Sequence, residues 1–155
     1  MPENKRILTY LKENGVPFTL SHHPKAYTAQ RVAASAHIPG NILIKTVAVK
    51  IDGKMALAVL PANDRIEFKE FARQLHSKKV TLAAEEEFRK FFPDCETGAM
   101  PPYGNLYNMD TYIASDLAKN EEIAYNACNH MDIITQRFED YNRLVSPIMV
   151  HFEMH

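Results

Sequence analysis

The chain has 155 residues, 46% hydrophobic and 24% charged, with a formal net charge of -1; that is enough for one domain burying roughly two thirds of its unfolded surface, and two domains would be cramped. The near-neutral balance excludes a protein that grips long nucleic acid such as DNA electrostatically, since each neutralised phosphate needs a nearby Lys or Arg. No apolar run approaches a membrane span, the start Met1-Pro2-Glu3-Asn4-Lys5-Arg6 lacks the apolar core of a secretory leader, and two cysteines, Cys95 and Cys128, are too few for a disulfide scaffold, so the expectation is a soluble cytoplasmic protein with both thiols reduced.

Ile7, Leu8 and Leu11 recur at helical spacing and Asn14-Gly15 supplies a stop, predicting a short amphipathic helix followed by a strand over residues 16–20. Thr28 is an N-cap for a helix through Ala36 that Pro39-Gly40 ends. Residues 42–51 and 54–60 are β-rich runs joined at Asp52-Gly53, which predicts a hairpin. Pro61-Ala62-Asn63-Asp64 turns into a helix with the apolar stripe Phe68, Phe71, Ala72 and Leu75; a strand over 80–83 and an acid-led helix over 85–92 follow. Leu106-Tyr107 and Tyr112-Ile113 read as short strands, and 115–119 as one helical turn. Residues 123–128 and 133–137 alternate around Asn129-His130, a last helix covers 138–144, and Pro147 begins a C-terminal extension. This order predicts an α/β fold: one domain over residues 1–155, with a mixed, largely antiparallel sheet curling into a partial barrel among surrounding helices.

Between these elements lies Gly98-Ala99-Met100-Pro101-Pro102-Tyr103-Gly104, two glycines bracketing two prolines, which cannot be helix or central strand. Gly98 lets backbone approach a ligand closely, and the prolines fix φ and leave carbonyls without matching donors. The segment is either a tight turn or a stiff loop that presents backbone groups to a small polar partner. Lys45 lies among Ile42, Ile44, Val47, Val49 and Ile51; its ammonium either lines a cleft, binding phosphate or carboxylate, or guards an edge strand. His130, at the turn between two alternating runs, can position water, donate to a carbonyl, or satisfy a local backbone group. Cys95, Cys128 and His130 could supply three zinc ligands, but no paired metal-binding spacing supports it. The lysines at 45, 50 and 54 and at 78 and 79 could meet a few phosphates or simply form solvated faces.

Several segments together resemble the YbaK/ProX family of aminoacyl-tRNA deacylases, free-standing relatives of the editing domain inserted in bacterial prolyl-tRNA synthetases. They are His23-Pro24 with Tyr27-Thr28-Ala29-Gln30, His37-Ile38-Pro39-Gly40, Lys45-Thr46-Val47, the stretch 57–62, Leu82-Ala83-Ala84-Glu85, Phe92-Pro93-Asp94-Cys95-Glu96, the 98–104 loop, and Asn126-Ala127 followed by His130. The resemblance implies hydrolysis of the ester joining a wrong amino acid to the tRNA 3′ end, most simply a small one such as alanine on proline tRNA, with no metal and no cofactor. Lys45 matches the family's essential lysine, Gly98 opens its glycine-to-proline substrate loop, and His130 matches a histidine lining the amino-acid pocket. On the same ground Tyr27, Thr46, Ala99, Met100, Pro101, Pro102, Cys128 and Asn129 are expected to line the substrate, and a mischarged tRNA acceptor end, with room for a synthetase, is the expected partner. Many relatives carry Gly-Thr where Cys128-Asn129 stand; the cysteine adds a side chain beside the pocket or demands a different backbone conformation. The competing reading is a non-catalytic module that binds a tRNA acceptor end or a synthetase.

Overall fold

The computed structural model describes residues 4–22 and 41–154; the expected helix from Thr28 to Ala36, and Tyr27 with it, lie outside the described residues. Helix α1 (Lys5–Glu13) buries Ile7 and Leu11, one turn apart, and ends where Gly15 takes φ 66°. Each of these two side chains contributes about 1.5–3 kcal/mol by burial. Strand β1 (Phe18–His22) follows, two residues later than its alternation predicts.

The Asp52-Gly53 signal builds the hairpin of β2 (Ile44–Ile51) and β3 (Lys54–Pro61), paired from Ile51↔Lys54 to Ile44↔Pro61. Both turn residues are left-handed, Asp52 at φ 49° and Gly53 at φ 87°, as a two-residue hairpin requires. Beyond it the 61–64 turn first forms a two-residue strand, β4 (Arg65–Ile66), and only then α2 (Phe68–Gln74), with Phe71 buried as expected. Strand β5 (Val80–Leu82) leads to α3 (Glu85–Phe88), which gives way to a 3-10 turn over Arg89–Phe91 instead of running on as α-helix.

The Leu106-Tyr107 pair is not a strand. A 3-10 turn (Gly104–Leu106) occupies it, because Tyr107 N–H and Met109 N–H both fold back onto the Gly104 carbonyl. Strand β6 (Asp110–Ala114), a 3-10 turn (Ser115–Lys119), the β7 (Glu122–Asn126) and β8 (Asp132–Arg137) hairpin, and α4 (Phe138–Val145) complete the main chain path. Residues after Pro147 are strands rather than a loose extension: β9 (Ile148–Val150) pairs with β6, and β10 (Glu153–Met154) with β4.

The strands form a five-stranded sheet ordered β5-β2-β3-β6-β9, a three-stranded sheet β1-β8-β7 and the β10-β4 pair. Antiparallel pairing dominates, as expected, with parallel pairing confined to β3-β6 and β6-β9 among these strands; the sheets do not close into a barrel. The main core, with Leu11, Leu60, Phe71, Tyr103, Tyr125 and Tyr141, joins α1, α2 and α4 to the two larger sheets. A second cluster places Met100 with Ala48, Leu57, Phe92, Tyr107 and Met109. The two larger sheets meet at one parallel bridge, Leu43↔Ala124. No helix among the described residues is long and apolar enough to cross a membrane.

Candidate functional site

Two loops, the 94–104 segment and the 127–131 turn of the β7-β8 hairpin, are laced together by backbone. Glu96 N–H donates to the Cys128 carbonyl at 2.8 Å, and Cys128 N–H donates to the Ala99 carbonyl at 2.9 Å. The Glu96 carboxylate accepts from His130 N–H at 3.3 Å. The His130 ring completes the lacing, its Nε2 lying 2.9 Å from the Thr97 carbonyl. A carbonyl can only accept, so Nε2 carries a proton, and Nδ1 is the ring nitrogen left to face another group.

Gly98 sits at the mouth of this pair with φ 85°, a backbone that L side chains rarely adopt. A Cβ there would meet only His130, at 3.6 Å from Cε1, which is ordinary contact. The Gly98 N–H makes no hydrogen bond among the described residues, and Gly98 is exposed, whereas Ala99 and Met100 behind it are buried. The prolines differ from expectation. Their carbonyls have donors after all: Tyr103 N–H bonds Pro101 at 2.8 Å and the Tyr141 hydroxyl bonds Pro102 at 2.7 Å. Both rings are buried, so Pro101 and Pro102 brace the loop from behind while Gly98 faces outward.

That brace extends into the core. The Tyr103 hydroxyl donates to Gln136 Oε1 at 2.6 Å, and Tyr125 donates to the same oxygen. Burial pushes the Tyr125 and Tyr141 phenols well above their ordinary range, so both remain donors. No spacing signal announces this network, since each tyrosine alone reads as apolar core.

Cys128 keeps the left-handed backbone of a glycine, at φ 67°. Its side chain is fully buried and bonded to Cys95, with the two Cα atoms 4.2 Å apart. The expectation of two reduced thiols is thereby corrected: a chain separation of 33 residues hides a pairing that the fold creates. Asp94 joins the two sulfurs, the three ligand atoms lying within 4.8 Å of one another, while His130 is held to Thr97 instead of joining that group. Asn129 spends its side chain on the turn: Oδ1 accepts from Met131 and Asp132 N–H at 2.9 and 2.7 Å, and Nδ2 donates to Asp132 Oδ2. It shapes the turn ahead of any substrate.

Lys45 stands at the base of the β2-β3 hairpin, opposite Leu60. It is half-buried, and desolvation lowers its pKa below the ordinary lysine value while the Asp64 carboxylate pulls it back up. Among the described residues β2 pairs with β3 along its whole length and with β5 only at Val49, Lys50 and Ile51, so Lys45 is partly desolvated in a stretch that β5 does not reach. Two residues past the Leu43↔Ala124 bridge, β2 carries Lys45 and its parallel neighbour β7 carries Asn126. From there the two strands belong to different sheets, and β7 runs directly into the Cys128–His130 turn. The bridge thus sets Lys45 beside the strand that leads into the laced loops, although among the described residues no hydrogen bond or ion pair joins Lys45 to Gly98 or His130. Thr46 Oγ1 and Asn126 Oδ1 are buried without hydrogen-bond partners among the described residues, which is costly for a polar atom. Asn126, Asp64 and Thr97 went unassigned from sequence; the one available signal was a polar residue ending the apolar run Ile123-Ala124-Tyr125. Lys50 and Lys54 are engaged by Glu87 and Asp110, at 2.7 and 3.8 Å.

Comparison with known proteins fits this arrangement. No curated protein matches the chain. Among solved structures, a protein proposed as a trans-editing enzyme for prolyl-tRNA synthetase superposes with a TM-score of 0.86 at 16% identity, covering 100% of this chain and 99% of its own. A scaffold computationally designed to present linear epitopes gives 0.86 at 15% identity with the same coverage. A hypothetical protein gives 0.82 at 14%, covering 96% of this chain and 99% of its own. At such identities these neighbours establish the fold. The model of the aminoacyl-tRNA editing domain matches residues 23–144, most of the length, and so the chain belongs to the aminoacyl-tRNA editing domain family.

Proposed function

We propose that this protein, acting as one editing domain over residues 1–155, is a metal- and cofactor-independent trans-editing deacylase. It hydrolyses the ester of a mischarged aminoacyl-tRNA, with alanine on proline tRNA as the first substrate to try. The observation that carries this reading is exposed Gly98, whose N–H no described residue engages, beside a histidine whose Nε2 is tied to the Thr97 carbonyl.

An aminoacyl ester is already activated, so the protein has chiefly to orient water, ester and terminal ribose, and orientation alone supplies several kcal/mol. Water enters with its proton toward His130 Nδ1, whose lone pair is available because Nε2–H is committed. As the carbonyl carbon becomes tetrahedral, the Gly98 N–H stabilises the developing oxyanion. The ribose oxygen departs with a proton, leaving free amino acid and intact tRNA. The half-buried Lys45 ammonium holds the terminal phosphate or the aminoacyl group as a point charge. Ala99, Met100 and Cys128, buried behind Gly98, would back a shallow second site that admits a small side chain and rejects a larger one.

The test is release of amino acid from a panel of mischarged tRNAs, run with and without chelator. Turnover of a small amino acid, unaffected by chelation, is expected. Binding of the acceptor end or a synthetase with no deacylation across the panel would replace this reading with that of a non-catalytic module.

A further inference from the structure

The bond between Cys95 and Cys128 is used by none of these steps, yet it joins the two loops that make the site. Cys95 is three residues ahead of Gly98, and Cys128 is two ahead of His130. Cys128 holds a left-handed backbone that a non-glycine residue resists, and through that backbone it bonds both Glu96 and Ala99. The two sulfurs differ in access: Cys95 is half-buried, and Cys128 is sealed at 0% exposure. The Tyr107 hydroxyl lies 3.6 Å from Cys95 Sγ and 3.8 Å from Cys128 Sγ and donates its proton to the Asp94 carboxylate at 3.2 Å, so a polar group already sits beside both sulfurs.

We propose that Cys95–Cys128 is a thiol-exchange site whose reaction partner is a cellular dithiol or small thiol, and that its bonded state sets the activity of the adjoining pocket. A reductant thiolate attacks Cys95 Sγ, the reachable sulfur; a mixed disulfide forms and Cys128 leaves as a thiolate beside Tyr107, then takes a proton. A second reductant thiolate attacks the reductant sulfur of that mixed disulfide and releases Cys95. Two electrons and two protons pass to the protein, and the reductant departs as a disulfide; a disulfide oxidant reverses the sequence. With the tie open, Cys128 is free to leave the left-handed region, which swings its N–H and carbonyl off Ala99 and Glu96 and loosens His130. The bonded form is therefore the more active one. In a reducing compartment, where disulfides are typically transient or sensing, the pair would act as a sensor.

The regulatory half of this inference rests on the proposed deacylase; the exchange itself does not. Free thiols are counted colorimetrically in the whole protein, native and denatured, along a series of reduced-to-oxidised glutathione ratios, and deacylation is measured at each ratio. No free thiol is expected at the oxidised end and two at the reduced end, with kcat/KM falling roughly tenfold between them, as a small misplacement of catalytic groups produces. Cys95→Ser should be insensitive to the series at the reduced level. Cys128→Gly, which takes the left-handed backbone without strain, should show an oxidised-to-reduced activity ratio of one. Circular dichroism confirms that each variant is folded. Two titratable thiols at every ratio overturn the exchange site; a full disulfide-to-dithiol transition with level activity overturns the regulatory role. Failure of every mischarged tRNA to react at any ratio counts against the deacylase and leaves the thiol count to decide the exchange.

Discussion

Gly53 and Gly98 have nearly the same backbone, φ 87° and 85°, and entirely different surroundings. A Cβ on Gly53 would meet nothing within 4 Å; its turn is anchored through its neighbour, the Asp52 carboxylate accepting from the N–H groups of Lys78 and Lys79 at 2.9 and 2.8 Å, and no side chain faces the glycine itself. A Cβ on Gly98 would meet the ring of His130, 32 positions away in the chain, and its loop is laced to the Cys128 turn through backbone on both sides. One left-handed glycine reverses a chain; the other presents a backbone amide between two loops. Conformation alone therefore does not mark a functional glycine. What marks it is the side chain that faces it, the His130 ring at Gly98 and open space at Gly53.

The comparison can be broken by experiment. The largest effect is expected at the base of the hairpin whose tip is Gly53: Lys45→Ala should lower kcat/KM for deacylation by about 100-fold or more, as loss of a key electrostatic group does, with the melting curve little changed. Unaltered turnover would remove Lys45 from the site. Next come the matched glycines. Gly53→Val and Gly98→Val should each lose about 1–2 kcal/mol of stability in urea, the cost of a left-handed L-residue. Only Gly98→Val should also lose activity, on the order of tenfold or more, since its methyl groups crowd the His130 ring. Equal activities in the two variants would make the 98–104 segment a turn like the other.

Smaller effects sharpen the account. Tyr141→Phe removes the donor to the Pro102 carbonyl and leaves that buried oxygen unsatisfied, a loss of about 1–3 kcal/mol by urea titration. Its activity should fall less than that of Gly98→Val, because the brace lies behind the loop. The smallest effect is a shift in pH dependence. Desolvation lowers the Lys45 pKa and Asp64 raises it, and the cation is the working form, so activity is retained below the folded pKa and lost as pH rises through it. Asp64→Asn removes the raising influence. The alkaline limb of the kcat/KM profile should move to lower pH, and an unmoved limb would detach Asp64 from Lys45.

Local signals carried much of the fold. Asp52-Gly53 specifies its hairpin because both residues tolerate positive φ, and Ile7 with Leu11 specifies α1 because the two positions share one helix face. Parallel pairing of β3 with β6 and of β6 with β9 was invisible, since neither connection leaves a turn signature. Pro147 looked like the end of the fold for the same reason. In the site, Gly98 and His130 were recognisable from composition and resemblance, and the structure sets the His130 ring 3.6 Å from where a Cβ on Gly98 would lie. The Cys95–Cys128 bond, the tyrosine brace and the capped proline carbonyls were not, because each joins residues distant in the chain whose types fit an ordinary core.

The central claim is that the laced loops form a hydrolytic site for misacylated tRNA. Single-turnover release of alanine from alanyl-tRNA of the proline type, with Gly53→Val and Gly98→Val beside the unaltered protein, tests it most directly. The account predicts rapid release by the unaltered protein and by Gly53→Val, and slow release by Gly98→Val. Release at the spontaneous rate by all three, from this and every other mischarged tRNA tried, would contradict it.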